Sequence, residues 1–154
     1  MELALTIELV PGSCWYSNVR SNVKPATWER LQRATFMLCH NRCECCGRYT
    51  NLECHEVWHY DDRTQIQKLE RLCGLCPQCH EVKHFGLATE NGRSAPALKW
   101  FCEVNKMAPA DAIQYIDRAF KIHGIRSQFN WRLDVRYLEK SGVRLDKFGR
   151  EIGI

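Results

Sequence analysis

Apolar positions recur at helical spacing in several stretches of the chain and alternate in others. Leu3 to Val10 alternates imperfectly and stops at Pro11-Gly12, which predicts a short strand and a turn. Trp28, Leu31, Thr35 and Leu38 recur every three or four residues behind Thr27, a residue type that caps helices. The spacing predicts a helix to about His40, with this stripe facing the core. Leu52 to Tyr60 reads as a strand ended by Asp61-Asp62. Ile66 to Leu75 fits a second strand or a short helix equally well. Pro77 suits the first position of a helix through Phe85, with Gly86 as its stop. Residues 89–94 form a polar loop. Leu98, Phe101, Cys102 and Asn105 predict another helix, as do Ala112, Ile113, Ile116, Ala119, Phe120 and His123 up to Gly124. Asp134 then caps a last helix carrying Val135, Leu138 and Ser141. The fold class expected is α+β. An N-terminal strand and helix (1–42) pack on a metal-braced core (43–88), followed by a helical region (89–154), the three forming one compact unit.

The chain has 154 residues, 45% hydrophobic and 26% charged, which excludes a disordered or collagen-like polymer. Its early apolar run is broken at Thr6 and Glu8, well short of a membrane span. Met1 is followed by Glu2 rather than by basic residues, so no secretory signal is expected and the predicted compartment is the cytoplasm. The charge is uneven. Residues 118–150 hold nine Lys and Arg against Asp134, Glu139 and Asp146, a net of +6, whereas residues 1–117 carry a net of −1. A basic segment of this kind suits a polyanion, and Arg126, Arg132, Arg136 and Lys140 are the candidate phosphate contacts. A solvated helical surface explains the charge equally well.

Cysteine changes the picture most. Seven of the ten lie between Cys43 and Cys79, and four of the six histidines lie between His55 and His84. In a reducing compartment such clustering points to metal rather than to disulfides. Cys43-Glu44-Cys45-Cys46 and Cys76-Pro77-Gln78-Cys79 are two knuckles whose two-residue spacing lets both sulfurs reach one ion. A closed all-thiolate tetrahedron suits structural zinc, although iron fits the same geometry. Cys45 competes with its neighbours, and Cys73-Gly74-Leu75-Cys76 is a third valid pair. Gly47 after Cys46 and Pro77 after Cys76 favour the set Cys43, Cys46, Cys76 and Cys79. Cys14, Cys39 and Cys102 read as small core residues. His80 and His84 share one helix face, and the knuckles draw the 52–60 strand, with His55, toward them. Three imidazoles leave coordination positions open for water or a phosphate oxygen.

The segments CECCG, LECHEVW and LCPQCHEVKHFG, in that order, resemble an HNH endonuclease of the ββα-metal type braced by a four-cysteine zinc ribbon. The resemblance covers roughly residues 43–86. It implies a hairpin and helix that hold one catalytic divalent cation, and an activity that hydrolyses DNA phosphodiester bonds. His55, His80 and His84 fall on the cation-ligand positions, and Glu56 falls where the family carries a histidine general base. No Asn lies between Asn51 and Asn91, so the family's middle Asn is absent. His59, two pleats beyond His55 on the same strand face, is the second candidate base. An all-imidazole triad favours zinc, nickel, cobalt or manganese over magnesium. Two other classes compete with this expectation: a catalytically inactive zinc module that binds DNA, and a zinc-stapled adaptor for another protein.

Overall fold

A computed structural model describes residues 2–14 and 18–153. The fold is mixed α+β, with a small three-stranded sheet, flanking helices and a four-cysteine cluster. Helix α1 spans Val19–Asn22 and α2 spans Pro25–Leu38. Strands β1 (Glu53–Asp61) and β2 (Ile66–Leu75) form an antiparallel hairpin. Helices α3 (Pro77–Lys83), α4 (Phe85–Glu90), α5 (Ser94–Asn105) and α6 (Pro109–Arg126) follow. Strand β3 (Arg132–Asp134) adds to β2 in parallel, and a 3-10 turn covers Arg136–Ser141. Among the described residues, no helix is long and apolar enough to cross a membrane.

The hairpin settles the ambiguity over residues 66–75. Each residue of β1 has a partner on β2, from Glu53 with Leu75 to Asp61 with Ile66. One residue of β2, Glu70, is skipped between Val57 and Trp58, which makes a bulge. The Asp61 carboxylate accepts the backbone N–H groups of Arg63 (2.9 Å) and Thr64 (3.3 Å), an Asx turn that closes the loop. Because β1 is an edge strand, one side of it faces other parts of the chain rather than a further strand.

Two apolar clusters hold the elements together. Leu5, Leu75, Val82, Phe101 and Ala112 join the N-terminal segment, β2, α3, α5 and α6. Val19, Leu31, Leu69, Val135 and Leu138 join α1, α2, β2 and the C-terminal segment. The strand β2 contributes to both, so it is buried on both faces over Leu72–Leu75. Gly74 is required there by space rather than by backbone angle. A Cβ on it would lie 2.9 Å from Cys39 Sγ, 3.0 Å from Leu52 Cδ1 and 3.2 Å from Phe36 Cδ1.

Several expectations are corrected. Leu3–Val10 is not a strand, because its backbone groups find other partners. Leu5 exchanges two hydrogen bonds with the Asn105 amide, the Ile7 N–H donates to Tyr115 Oη, and the Glu8 N–H donates to the Lys83 carbonyl. Helix α2 starts at Pro25 rather than after Thr27, whose hydroxyl donates to Glu151 (2.9 Å). Leu38, at the end of the predicted core stripe, is exposed. Gly86 does not stop the helix begun at Pro77. The break falls at His84, and the chain re-enters a helix that contains Gly86. Gly124 likewise lies inside α6, which runs to Arg126. Asp134 ends a strand instead of opening an α-helix, although its carboxylate does accept the Arg136 N–H (3.1 Å) and the turn it starts buries Val135 and Leu138. The last third of the chain is thus not purely helical. Of the three cysteines read as core, Cys14 is buried, while Cys39 and Cys102 are half-buried.

Candidate metal centres

The first centre gathers Cys43, Cys46, Cys76 and Cys79, all four sulfurs lying within 4.8 Å of one another. Cys46 Sγ and Cys76 Sγ are 3.7 Å apart. Sulfurs bound to one tetrahedral zinc at roughly 2.3 Å would be separated by about 3.8 Å, so the spacing fits. Local chemistry builds the site. Gly47, at φ +75°, turns the first knuckle, and its N–H donates to the Cys43 carbonyl (2.8 Å). Cys76 is the N-cap of α3, its sulfur accepting the Cys79 N–H (3.4 Å), and Pro77 begins the helix. The Trp100 indole N–H donates to Cys79 Sγ (3.3 Å) from α5. The Glu44 carboxylate accepts the Gly74 N–H (2.7 Å) and pins the knuckle to the end of β2. Cys45 lies beside Cys43 and Cys79 but outside the four, and Cys73 is buried in the apolar cluster. The group could hold a metal ion.

The second centre gathers His55, His80 and His84, with ligand nitrogens again within 4.8 Å of one another. His55 lies on β1, and the two others flank the last turn of α3. The rings sit edge to face, with centroids 4.8 Å apart for His80 and His84 and 5.3 Å from each of these to His55. His80 Nε2 and His84 Nε2 are 3.2 Å apart. Two nitrogens on a tetrahedral ion at roughly 2.0–2.1 Å would be about 3.3 Å apart. Burial pushes the His84 imidazole down to about 3 and lowers His55 as well, so both are neutral near pH 7 and suited to ligation.

Carboxylates orient two of the rings. Glu53 Oε1 lies 3.0 Å from His80 Nδ1. With that nitrogen donating, Nε2 keeps its lone pair and faces His84. Glu8 Oε2 lies 3.1 Å from His55 Nε2 and 2.6 Å from Lys83 Nζ. Burial alone would raise the Glu8 carboxyl, but the His55 hydrogen bond and the Lys83 charge outweigh it and hold the group at about 2. An ionised carboxylate has no hydrogen to give. His55 Nε2 therefore carries the proton, and Nδ1 is the nitrogen with a bare lone pair. Lys83 is buried and also donates to Thr6 Oγ1 (2.8 Å). Neither Glu8 nor Lys83 carries any sequence signal, because the extended N-terminal segment brings Glu8 to the site, where it meets Lys83 at the end of α3. Glu53 was findable: it lies two residues before His55, on the same strand face.

The two candidate bases part company. His59 shares a strand face with His55, but it is exposed, lies 3.8 Å from Glu70 and stands apart from the three imidazoles. Glu56 points to the opposite face of β1 yet lines the same groove as His55, His80 and His84. Its Oε2 accepts the Val19 N–H (3.2 Å), and burial raises its carboxyl to about 7 against that bond.

That groove, of about 690 Å³, runs between β1 and α6. It is mainly apolar and carries Arg20, Arg118 and Arg126. Of the four predicted phosphate contacts, Arg126 alone lines it. Arg126 is held in a two-pronged pair with Asp62 (2.9 Å and 2.9 Å) and lies over Tyr60. Arg136 makes a similar pair with Asp134, Lys140 sits over Tyr137, and Arg132 is exposed on β3. Sequence reasoning missed Arg20, which lies far from the basic segment. No family model matches the chain, and no curated protein or solved structure matches it.

Proposed function

We propose that the protein is a metal-dependent HNH-type endonuclease that hydrolyses DNA phosphodiester bonds. The observation that carries the reading is the convergence of three imidazoles, from a hairpin and the following helix, beside a separate four-cysteine cluster. A protein that needed only a staple would have no use for the second set. An arrangement of two strands and a helix with histidines at these positions is what the resemblance over residues 43–86 implies.

The thiolates brace the hairpin against α3. His55, His80 and His84 would hold the catalytic cation, with Glu8 and Glu53 fixing two of the rings. The cation, when bound, polarises the scissile phosphate and stabilises the leaving oxygen. Glu56 lies in the groove beside these rings and takes the proton of the attacking water. His59 is too far along the strand to share that role, because four residues span roughly 13 Å. Arg20 and Arg118 meet phosphates flanking the cut.

The test is nicking of supercoiled plasmid by zinc-loaded protein across added zinc, nickel, cobalt, manganese and magnesium. Cleavage with the imidazole-preferring ions, and loss of it in Glu56→Gln, is expected. Absence of cleavage with every ion, from protein shown to hold zinc, refutes the enzyme reading. Salt-dependent DNA binding would then mark an inactive module instead.

A further inference from the structure

The groove beside the three imidazoles has the wrong surface for an intact double helix. A duplex turns its phosphates and sugars outward and hides its bases in the stack, so it offers a mainly apolar groove nothing to bury. Yet the lining here includes Trp28, Trp58, Tyr60, Leu87 and Ile122. Trp58 stands two residues from Glu56 on the same face of β1, so their side chains are about 7 Å apart. Aromatic faces alternating with guanidinium groups are the chemistry that takes up unpaired nucleotides, with bases on the rings and phosphates on the cations. Arg20 and Arg118 are exposed on the lining and supply that charge, whereas Arg126 is engaged by Asp62. The volume, about 690 Å³, falls in the range that encloses a small organic ligand, enough for an unstacked nucleotide.

We infer that the strand presented to this site is unpaired DNA, with a base seated against Trp58 and its phosphates meeting Arg118 and Arg20. The inference rests on the nuclease reading for its metal centre, and it specifies that reading's substrate. An unpaired strand reaches the groove directly, and a duplex enters only after local opening, which costs the pairing and stacking of the opened bases.

Fluorescence anisotropy tests it. The His84→Ala protein, chosen to keep the strand uncut during the titration, is titrated against a labelled 12-nucleotide strand and against the same strand annealed to its complement. The single strand should bind at least tenfold more tightly. Trp58→Ala in that background should weaken single-strand binding about tenfold and leave duplex binding unchanged, with Trp58→Phe restoring most of it. Trp58 also packs against the core, so Ile122→Asp, on an exposed helix position, gives a second measurement and should weaken the single strand in the same way. Equal or tighter duplex binding, absence of binding to either form, or indifference to both Trp58→Ala and Ile122→Asp overturns the inference. Plasmid cleavage by the wild-type protein is read separately. Cleavage with a duplex preference removes this inference and leaves the nuclease. Single-strand preference without any cleavage removes the nuclease and keeps the groove assignment.

Discussion

Replacing Glu8 with Gln removes one negative charge from beside Lys83 and His55 and changes almost no volume. Lys83 is 7% exposed and has two oxygen partners, Glu8 Oε2 at 2.6 Å and Thr6 Oγ1 at 2.8 Å. Removing one partner of a buried pair costs roughly 3–5 kcal/mol, because a desolvated ammonium is left without its counter-charge. Two features reduce that figure. The Glu8 side chain is 29% exposed, and the Thr6 hydroxyl still accepts from Lys83. The expected loss is therefore about 2–3 kcal/mol, which for a chain of this size lowers the melting temperature by roughly 4–12 °C. Urea denaturation of zinc-loaded protein measures it. The double variant Glu8→Gln/Lys83→Met removes both charges and should recover at least 1 kcal/mol relative to the sum of the single changes. The same Glu8→Gln protein should bind zinc at the histidine site roughly tenfold to a hundredfold more weakly, while the four-cysteine site is unaffected. A destabilisation under 0.5 kcal/mol, or a strictly additive double variant, would refute the view that Glu8 is the counter-ion coupling the N-terminal segment to the site.

Three further outcomes are expected. His80→Ala and His84→Ala should each abolish plasmid cleavage and still retain one zinc per chain by elemental analysis; loss of that zinc would mean the two centres are not independent. Cys79→Ser removes a candidate ligand of the brace and the sulfur that accepts from Trp100, so zinc should be lost and cooperative unfolding with it; a variant that melts like wild type would count against a structural metal there. Gly74→Ala places a methyl 2.9–3.2 Å from three side-chain atoms and should destabilise by about 1–3 kcal/mol in a thermal melt, whereas Gly92→Ala meets nothing within 4 Å, so its cost is confined to the strain of its positive φ.

The chain by itself determined the candidate ligands and the elements that carry them. Two-residue cysteine spacing and the four-residue step from His80 to His84 are local relations, fixed by knuckle and helix geometry before any distant contact forms. Strand β1 was legible from its composition and the first turn of α3 from Pro77 for the same reason. What only the tertiary structure decided is everything set by partners remote in sequence. Residues 66–75 are a strand because β1 pairs with them, and Leu3–Val10 is not one because Asn105, Tyr115 and Lys83 satisfy its backbone groups. Glu8 reaches His55 across 47 positions, and Arg20 of α1 and Arg118 of α6 line one groove although they are far apart in sequence. Hydrophobic and hydrogen-bonding groups are indifferent to sequence separation once the chain is compact, so a pattern read along the chain records the candidate ligands of this centre and Glu53 beside them, but not Glu8, which comes from a remote segment.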